Sequence, residues 1–295
     1  MKKRMNYAAE DTYFHVNHSL CCRGRLLELS TPKIMGVLNL TPDSFHDGGR
    51  YLTEKEYVSR VGQMLEDGAD IVDIGGQSTR PGAGFVDSEA EWKRIDPAIT
   101  RILGAFPNAI LSVDTFHSEV AERAVENGVA IVNDISGGNM DEKMLSVIGR
   151  KKIPYILMHM KGSPQNMQSN PEYSNVVTEV FDYFTEKIAQ LKSFGIHDII
   201  LDPGFGFGKT VEHNYSLLAN LSVFRMIGYP LLAGISRKSM ITKVLDIRNN
   251  DALNGTTVLN TLALLQGADL LRVHDVKEAV ETRTLLNQYL RVQKS

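Results

Sequence analysis

Eight short apolar runs recur along the chain, each followed by a stretch of helical period, and this alternation limits the possible folds more than any other feature. The runs KIMGVLNL, DIVDIGG, AILSVD, AIVNDIS, YILMHM, DIILDPG, PLLAGIS and LLRVHD begin near Lys33, Asp70, Ala109, Ala130, Tyr155, Asp198, Pro230 and Leu270. Between them Val177, Phe181, Phe184, Ile188 and Leu191 follow at spacings of four, three, four and three, which lines one side of a helix. Val58, Val61 and Leu65 do the same earlier. Gly68, Gly128, Gly195, Gly228 and Gly267 each stand just ahead of a strand, where a left-handed helix cap is needed. Strands apolar on both faces require cover on both sides, and a count of eight fits a closed parallel (β/α)8 TIM barrel in the α/β class. The predicted organisation is a single such domain over residues 33–295, with residues 1–32 as an N-terminal extension packed on the barrel's bottom. An open doubly wound sheet is the alternative that periodicity leaves standing.

A chain of 295 residues with 43% apolar content is long enough for one large core. Its 32 Lys and Arg against 35 Asp and Glu give a net charge of −3, which offers no electrostatic footprint for nucleic acid. No run of 18 apolar residues suggests a membrane span, and the basic start MKKRM is not followed by an apolar core of signal-peptide length. The neighbours Cys21 and Cys22 have no further cysteine to form a disulfide framework or a zinc site with, so a reducing, cytoplasmic setting is expected.

In a barrel of this kind the chemistry lies at the C-terminal ends of the strands. Those ends carry Asn39, Gln77-Ser78-Thr79-Arg80, Asp114, Asn133 with Asp134, His159, Asp202, Ser236-Arg237-Lys238, and Arg272 with His274 and Asp275. Taken singly, an Asp or Asn at a strand end is most often a cap or turn former, and Asp134 and Asp275 are read that way. His159, between Met158 and Met160, reads as a hydrogen-bonded core residue. Taken together, so many polar ends converging on one mouth bury charges that need partners, and a polar ligand supplies them. Asp114, Asn133, Asp202 and Lys238 suit a flat heterocycle with ring N–H donors and ring acceptors. Thr79, Arg80, Arg272 and His274 suit an anion such as phosphate, and Asn39 suits a magnesium ion completed by phosphate oxygens and water.

The stretch DPGFGFGKT invites a phosphate-loop reading, but that motif needs glycine five residues before Gly208, where Pro203 stands. The dinucleotide fingerprint fails too, because Lys209 follows Gly206 by three. Gly204, Gly206 and Gly208 either let backbone approach a bound ring or form an ordinary turn. The polar segments TPDSFHDGGRY and STRPGAGF, after the first and second strands, are loops of the kind that move over a barrel mouth.

The motifs IMGVLNLTPDSFHDGG, DIVDIGGQSTRPGA, SVDTF, IVNDISGG, ILDPGFGFGKT, SRKSM and RVHDV resemble, in order and spacing, those of the dihydropteroate synthase family, over about Lys33 to Val280. The resemblance implies a barrel enzyme of folate synthesis. It would join 4-aminobenzoate to 7,8-dihydropterin-6-ylmethyl diphosphate, release diphosphate, use Mg²⁺, act as a homodimer and be a target of sulfonamides. It further implies that Asp114, Asn133, Asp202 and Lys238 bind pterin. Thr79, Arg80, Arg272 and His274 bind the diphosphate with Asn39, which is also the magnesium ligand. Phe45, Phe207, Lys238 and Ser239 line the aminobenzoate pocket, and Asp47, Arg272 and His274 act in catalysis. Gln77 stands where the family commonly has Glu. A pterin-dependent methyltransferase and a non-catalytic pterin-binding paralogue are the alternatives, and the presence of Asp47, Arg80 and Lys238 weighs against the second.

Overall fold

The computed structural model describes residues 19–41, 53–77, 86–163, 167 and 171–293. A two-stranded antiparallel hairpin, β1 (Ser19–Cys22) and β2 (Arg25–Glu28), precedes eight parallel strands. These are β3 (Lys33–Asn39), β4 (Ile71–Gly75), β5 (Leu111–Asp114), β6 (Ile131–Asp134), β7 (Tyr155–Met158), β8 (Ile199–Asp202), β9 (Leu232–Ala233) and β10 (Leu270–Val273). Hydrogen bonding runs in the order β8-β7-β6-β5-β4-β3-β10-β9. A parallel bridge between Leu201 and Leu231 brings the two ends of that order together, so the sheet is a barrel and not an open doubly wound layer.

Strand alternation sorts the apolar residues into two cores. Ile34, Leu38, Val72, Ile74, Val113, Val132, Leu157, Leu201, Leu271 and Val273 face outward and pack with the helices. Met35, Ile71, Ile131, Ile156, Ile200, Leu232 and Leu270 form a separate inner layer near the strand starts. Leu20, Cys22, Leu27 and Leu29 of the hairpin region pack onto that inner layer, closing the N-terminal face. The floor of the barrel is therefore dry, and inward positions further along the strands are free to be polar.

Several of the connecting helices begin on side-chain caps, and several end at a glycine. Thr53 caps α1 (Glu54–Glu66) in a reciprocal pairing with Glu56, and Asp87 caps α2 (Ser88–Ala105). The five glycines expected to end helices all have positive φ, from 75° at Gly195 to 107° at Gly128. No described helix is long and apolar enough to cross a membrane.

Candidate active site

Inward alternation continues from the apolar floor to the mouth: Ile71, Asp73 and Gly75 on β4, and Leu270, Arg272 and then His274 on and after β10. Register completes the ring, pairing Asn39 with Gly75, Gly75 with Asp114, and Asp114 with Asn133. At Gly75 the missing side chain matters. A Cβ there would stand 3.5 Å from Asn39 Oδ1 and 3.9 Å from Asp114 Oδ2, so the glycine leaves open the space between those two groups.

The centre of the site is an ionic hub. Arg272 Nε donates to Asp73 Oδ2 at 2.7 Å and its Nη2 donates to Asp114 Oδ2 at 2.7 Å. Asn133 Nδ2 donates to the same Asp73 oxygen at 3.0 Å. Burial alone would lower the pKa of the Arg272 guanidinium, but Asp73 and Asp114 override it and hold it above the ordinary arginine value. Burial pushes the Asp114 carboxyl up to about 7, against the pull of Arg272 and with a push from Asp73. Asp73 Oδ1 and the hydroxyl of Ser112, its register partner on β5, are both buried without a hydrogen-bond partner among the described residues. The guanidinium of Arg272, expected among the anion-binding residues, is thus also in contact with the carboxylates of the heterocycle-facing set.

Lys238 completes that set. Its ammonium lies 4.6 Å from the centre of the Phe207 ring, and its Nζ donates to the Phe205 carbonyl. Burial lowers it to about 8, while Asp202 and Asp114 pull it back up. Asp202 ends β8, is buried, and accepts from Gly204 N–H at 2.7 Å. Burial raises its carboxyl, with Lys238 and that backbone bond opposing. Beside these groups Phe116, Ile135 and Met158 form an apolar shelf, with Met160 and Phe207 packed on it. Ser239 opens the helix Ser239–Leu245 directly after Lys238 and is exposed.

His274 belongs to a different contact. Its Nδ1 lies 3.0 Å from Ser236 Oγ, and its backbone N–H donates to the same oxygen at 3.2 Å. Burial, and then the charges of Arg272 and Arg237, lower the imidazole to about 4, so it is neutral at physiological pH. Asp275 is held by a two-pronged contact from Arg237 and stays structural, and Asp134 is a buried turn former that accepts from Ser136 N–H, Gly138 N–H and Tyr155 Oη.

The glycine-rich stretch has two functions. A Cβ at Gly204 or Gly208 would overlap the His159 or Lys161 carbonyl, so these glycines serve loop packing. Gly206 is the one that faces the site: its Cβ would come within 3.3 Å of Lys238 Cδ. Lys209, passed over once the phosphate-loop reading failed, is buried beneath this loop and within 3.0 Å of His159 Nδ1, Gly204 O and Phe207 O. His159 is thus a hydrogen-bonded core residue. Sequence reasoning also missed Asp73, although a lone acid on the inward face of an apolar strand was the available signal. Phe45, Asp47, Thr79 and Arg80 lie outside the described residues.

The profile of the family described as "Pterin binding enzyme" matches residues 35–274. The dihydropteroate synthase of Escherichia coli (strain K12) is 43% identical over 273 residues, covering 92% of this chain and 96% of that protein. Among solved structures, the Yersinia pestis dihydropteroate synthase with a sulfonamide drug complex superposes with a TM-score of 0.89 at 39% identity, over 92% of this chain and 99% of that one. The Xanthomonas albilineans enzyme with 4-aminobenzoic acid gives 0.86 at 39% identity, over 92% and 98%. In complex with 7,8-dihydropteroate it gives 0.83 at 37%, over the same shares of the two chains.

Proposed function

The chain belongs to the pterin binding enzyme family, among the dihydropteroate synthases, and on that premise we propose how its residues divide the work of the reaction. The enzyme joins 4-aminobenzoate to 7,8-dihydropterin-6-ylmethyl diphosphate. The bond from the methylene carbon to the diphosphate oxygen breaks, and its electron pair leaves with diphosphate. The aniline nitrogen forms the new C–N bond and gives up a proton, yielding 7,8-dihydropteroate. Loss of diphosphate from the electron-rich pterin leaves a stabilised cation, so the work of the site is orientation and charge stabilisation.

One observation carries this reading: Asp73, Asp114, Asn133, Asp202, Lys238 and Arg272 converge at one barrel mouth beside an apolar shelf. In our reading Asp114, Asn133 and Asp202 take the pterin's N–H groups, and Lys238 meets its acceptors. Phe207, Lys238 and Ser239 line the aminobenzoate pocket together with Phe45. The same pocket would take a sulfonamide, and the Yersinia pestis relative is solved with a sulfonamide drug complex. Thr79, Arg80 and His274 face the diphosphate, Arg272 acts from beneath it, and Asp47 supports the cation.

Asn39 fits the implied magnesium as a single neutral oxygen ligand beside the opening at Gly75, with diphosphate oxygens and water completing the shell. A magnesium ion held by Asn39 would supply positive charge to offset that on the leaving group. A homodimer is supported by the helices Leu253–Leu265 and Val276–Gln293, which pack together yet leave Val258 51%, Leu262 43% and Leu285 73% exposed. We place the enzyme in the cytoplasm, a reading that rests on its cysteine usage, two adjacent residues in 295.

The test is diphosphate release and dihydropteroate formation by purified protein with Mg²⁺, with and without 4-aminobenzoate. Product that requires both substrates supports the reading. Tight pterin diphosphate binding without product would instead mark a non-catalytic binder.

A further inference from the structure

Ser236 lies in the turn that follows β9 and is buried. A serine hydroxyl has one hydrogen to give and two lone pairs to accept with. One lone pair is taken by the backbone N–H of His274 at 3.2 Å, a donor with no alternative role. The hydroxyl hydrogen then has a single acceptor among the described residues, His274 Nδ1 at 3.0 Å. The reverse assignment, with Nδ1–H donating to Oγ, would strand that hydrogen in a buried place, and an unmade buried hydrogen bond is costly. Protonating both ring nitrogens would strand it too, with the Arg272 and Arg237 charges opposing and Asp275, already held by Arg237, offering only a partial offset.

We propose that Ser236 is a positioning residue: it holds His274 as the neutral tautomer with its proton on Nε2, so that one directed N–H, and not a charge, meets the departing diphosphate. This rests on the diphosphate role given to His274 above. His274 Nε2 has no partner among the described residues, and the alternation that turns Arg272 into the barrel turns His274 toward the mouth. An anion held by N–H groups is matched by a nitrogen whose hydrogen is fixed in direction before substrate arrives. If the proton moved to Nδ1, the ring would present a lone pair to the phosphate oxygens and repel them.

The tautomer is read directly from ¹⁵N-histidine NMR of the full-length enzyme, with His274 assigned by comparison with His274→Gln. A pyrrole-type Nε2 and a hydrogen-bonded pyridine-type Nδ1 across neutral pH is the expected result. A pyrrole-type Nδ1, or an imidazolium at neutral pH, overturns the proposal. Kinetically, Ser236→Ala should lower kcat/KM for the pterin diphosphate about tenfold, the size of one lost hydrogen bond. Ser236→Thr, which keeps the hydroxyl, should restore most of it. A glutamine at 274 carries an amide N–H₂ that needs no tautomer, so Ser236→Ala should add nothing to His274→Gln. A full additional loss in that double variant would show that Ser236 acts elsewhere and would overturn the proposal. Unchanged kinetics for Ser236→Ala while His274→Ala is damaging would also overturn it and leave the diphosphate role of His274 intact. Unchanged kinetics for His274→Ala would remove that role itself, and this inference with it.

Discussion

Gln77 grips both polar atoms of the Val86 backbone: its Nε2 donates to the carbonyl and its Oε1 accepts from the N–H, each at 3.1 Å. The amide ties together the two ends of the segment 78–85, which carries Thr79 and Arg80. A glutamate, the commoner residue by resemblance, satisfies the Val86 N–H but turns an oxygen toward the carbonyl unless it is protonated. Gln77→Ala should therefore lower kcat/KM about tenfold, the effect of one to two lost hydrogen bonds, and Gln77→Glu should fall between it and the parent enzyme. Steady-state kinetics of the three proteins check this, and an unchanged Gln77→Ala would separate the clamp from catalysis.

The contacts of Arg272 make its removal a loss of more than transition-state stabilisation. Without the guanidinium, Asp73 and Asp114 lose their shared cation, and Asp73 keeps only its Asn133 hydrogen bond and Asp114 only the charge of Lys238. Breaking a buried ion pair from one side costs on the order of 3 kcal/mol. Arg272→Ala should lower both Tm and pterin affinity as well as turnover, and Arg272→Lys should recover part of the stability but not the two-pronged geometry. Calorimetric binding of the pterin with thermal melts checks it; unchanged pterin affinity would return Arg272 to a diphosphate role alone.

Much of this was legible from the residues, for a physical reason. Parallel strands covered on both faces leave continuous apolar runs, so all eight announced themselves, and alternation alone set Arg272 and His274 on one side and Val273 on the other. The partnerships were not legible, because they cross the barrel. Asp73 meets a cation 199 residues away, and nothing within its own strand signals that. Lys209 was hidden by its neighbours: in GFGKT it looks like a failed phosphate loop, and only the fold brings the His159 carbonyl and ring to it.

Lys209 gives the next expectation. Three acceptors lie within 3.0 Å of the Lys209 amine, and burial lowers it well below the ordinary lysine value while Asp202 opposes the shift. The contact at Phe207 O connects this buried amine to the aromatic ring beneath Lys238. Lys209→Met keeps the length of the side chain and strands three acceptors. It should raise the KM for 4-aminobenzoate about tenfold or more and lower Tm, with a smaller change in pterin KM. Separate titration of each substrate decides it: equal rises for both would mean that the whole mouth, and not the glycine-rich loop, depends on Lys209.

Glu91 links the site to stability. It lies in the first turn of α2, wholly buried, accepting from Thr115 Oγ1 at 3.0 Å while its Oε1 has no partner among the described residues. Burial pushes its carboxyl from 4.5 up to about 8, with the Thr115 bond pulling down and Asp114 adding to the rise. A folded-state value above the unfolded one means that the native state holds the proton more tightly. The associated stability is complete below about 4.5 and is lost as pH rises toward about 8, by up to about 1.4 kcal/mol per pH unit. Glu91→Gln places a neutral amide of the same shape there and removes the proton from the equilibrium. Thermal melts from pH 5 to pH 9 should therefore show a flatter curve for the variant, which gains on the parent toward the alkaline end. Two parallel curves would mean that Glu91 is already ionised in the native protein.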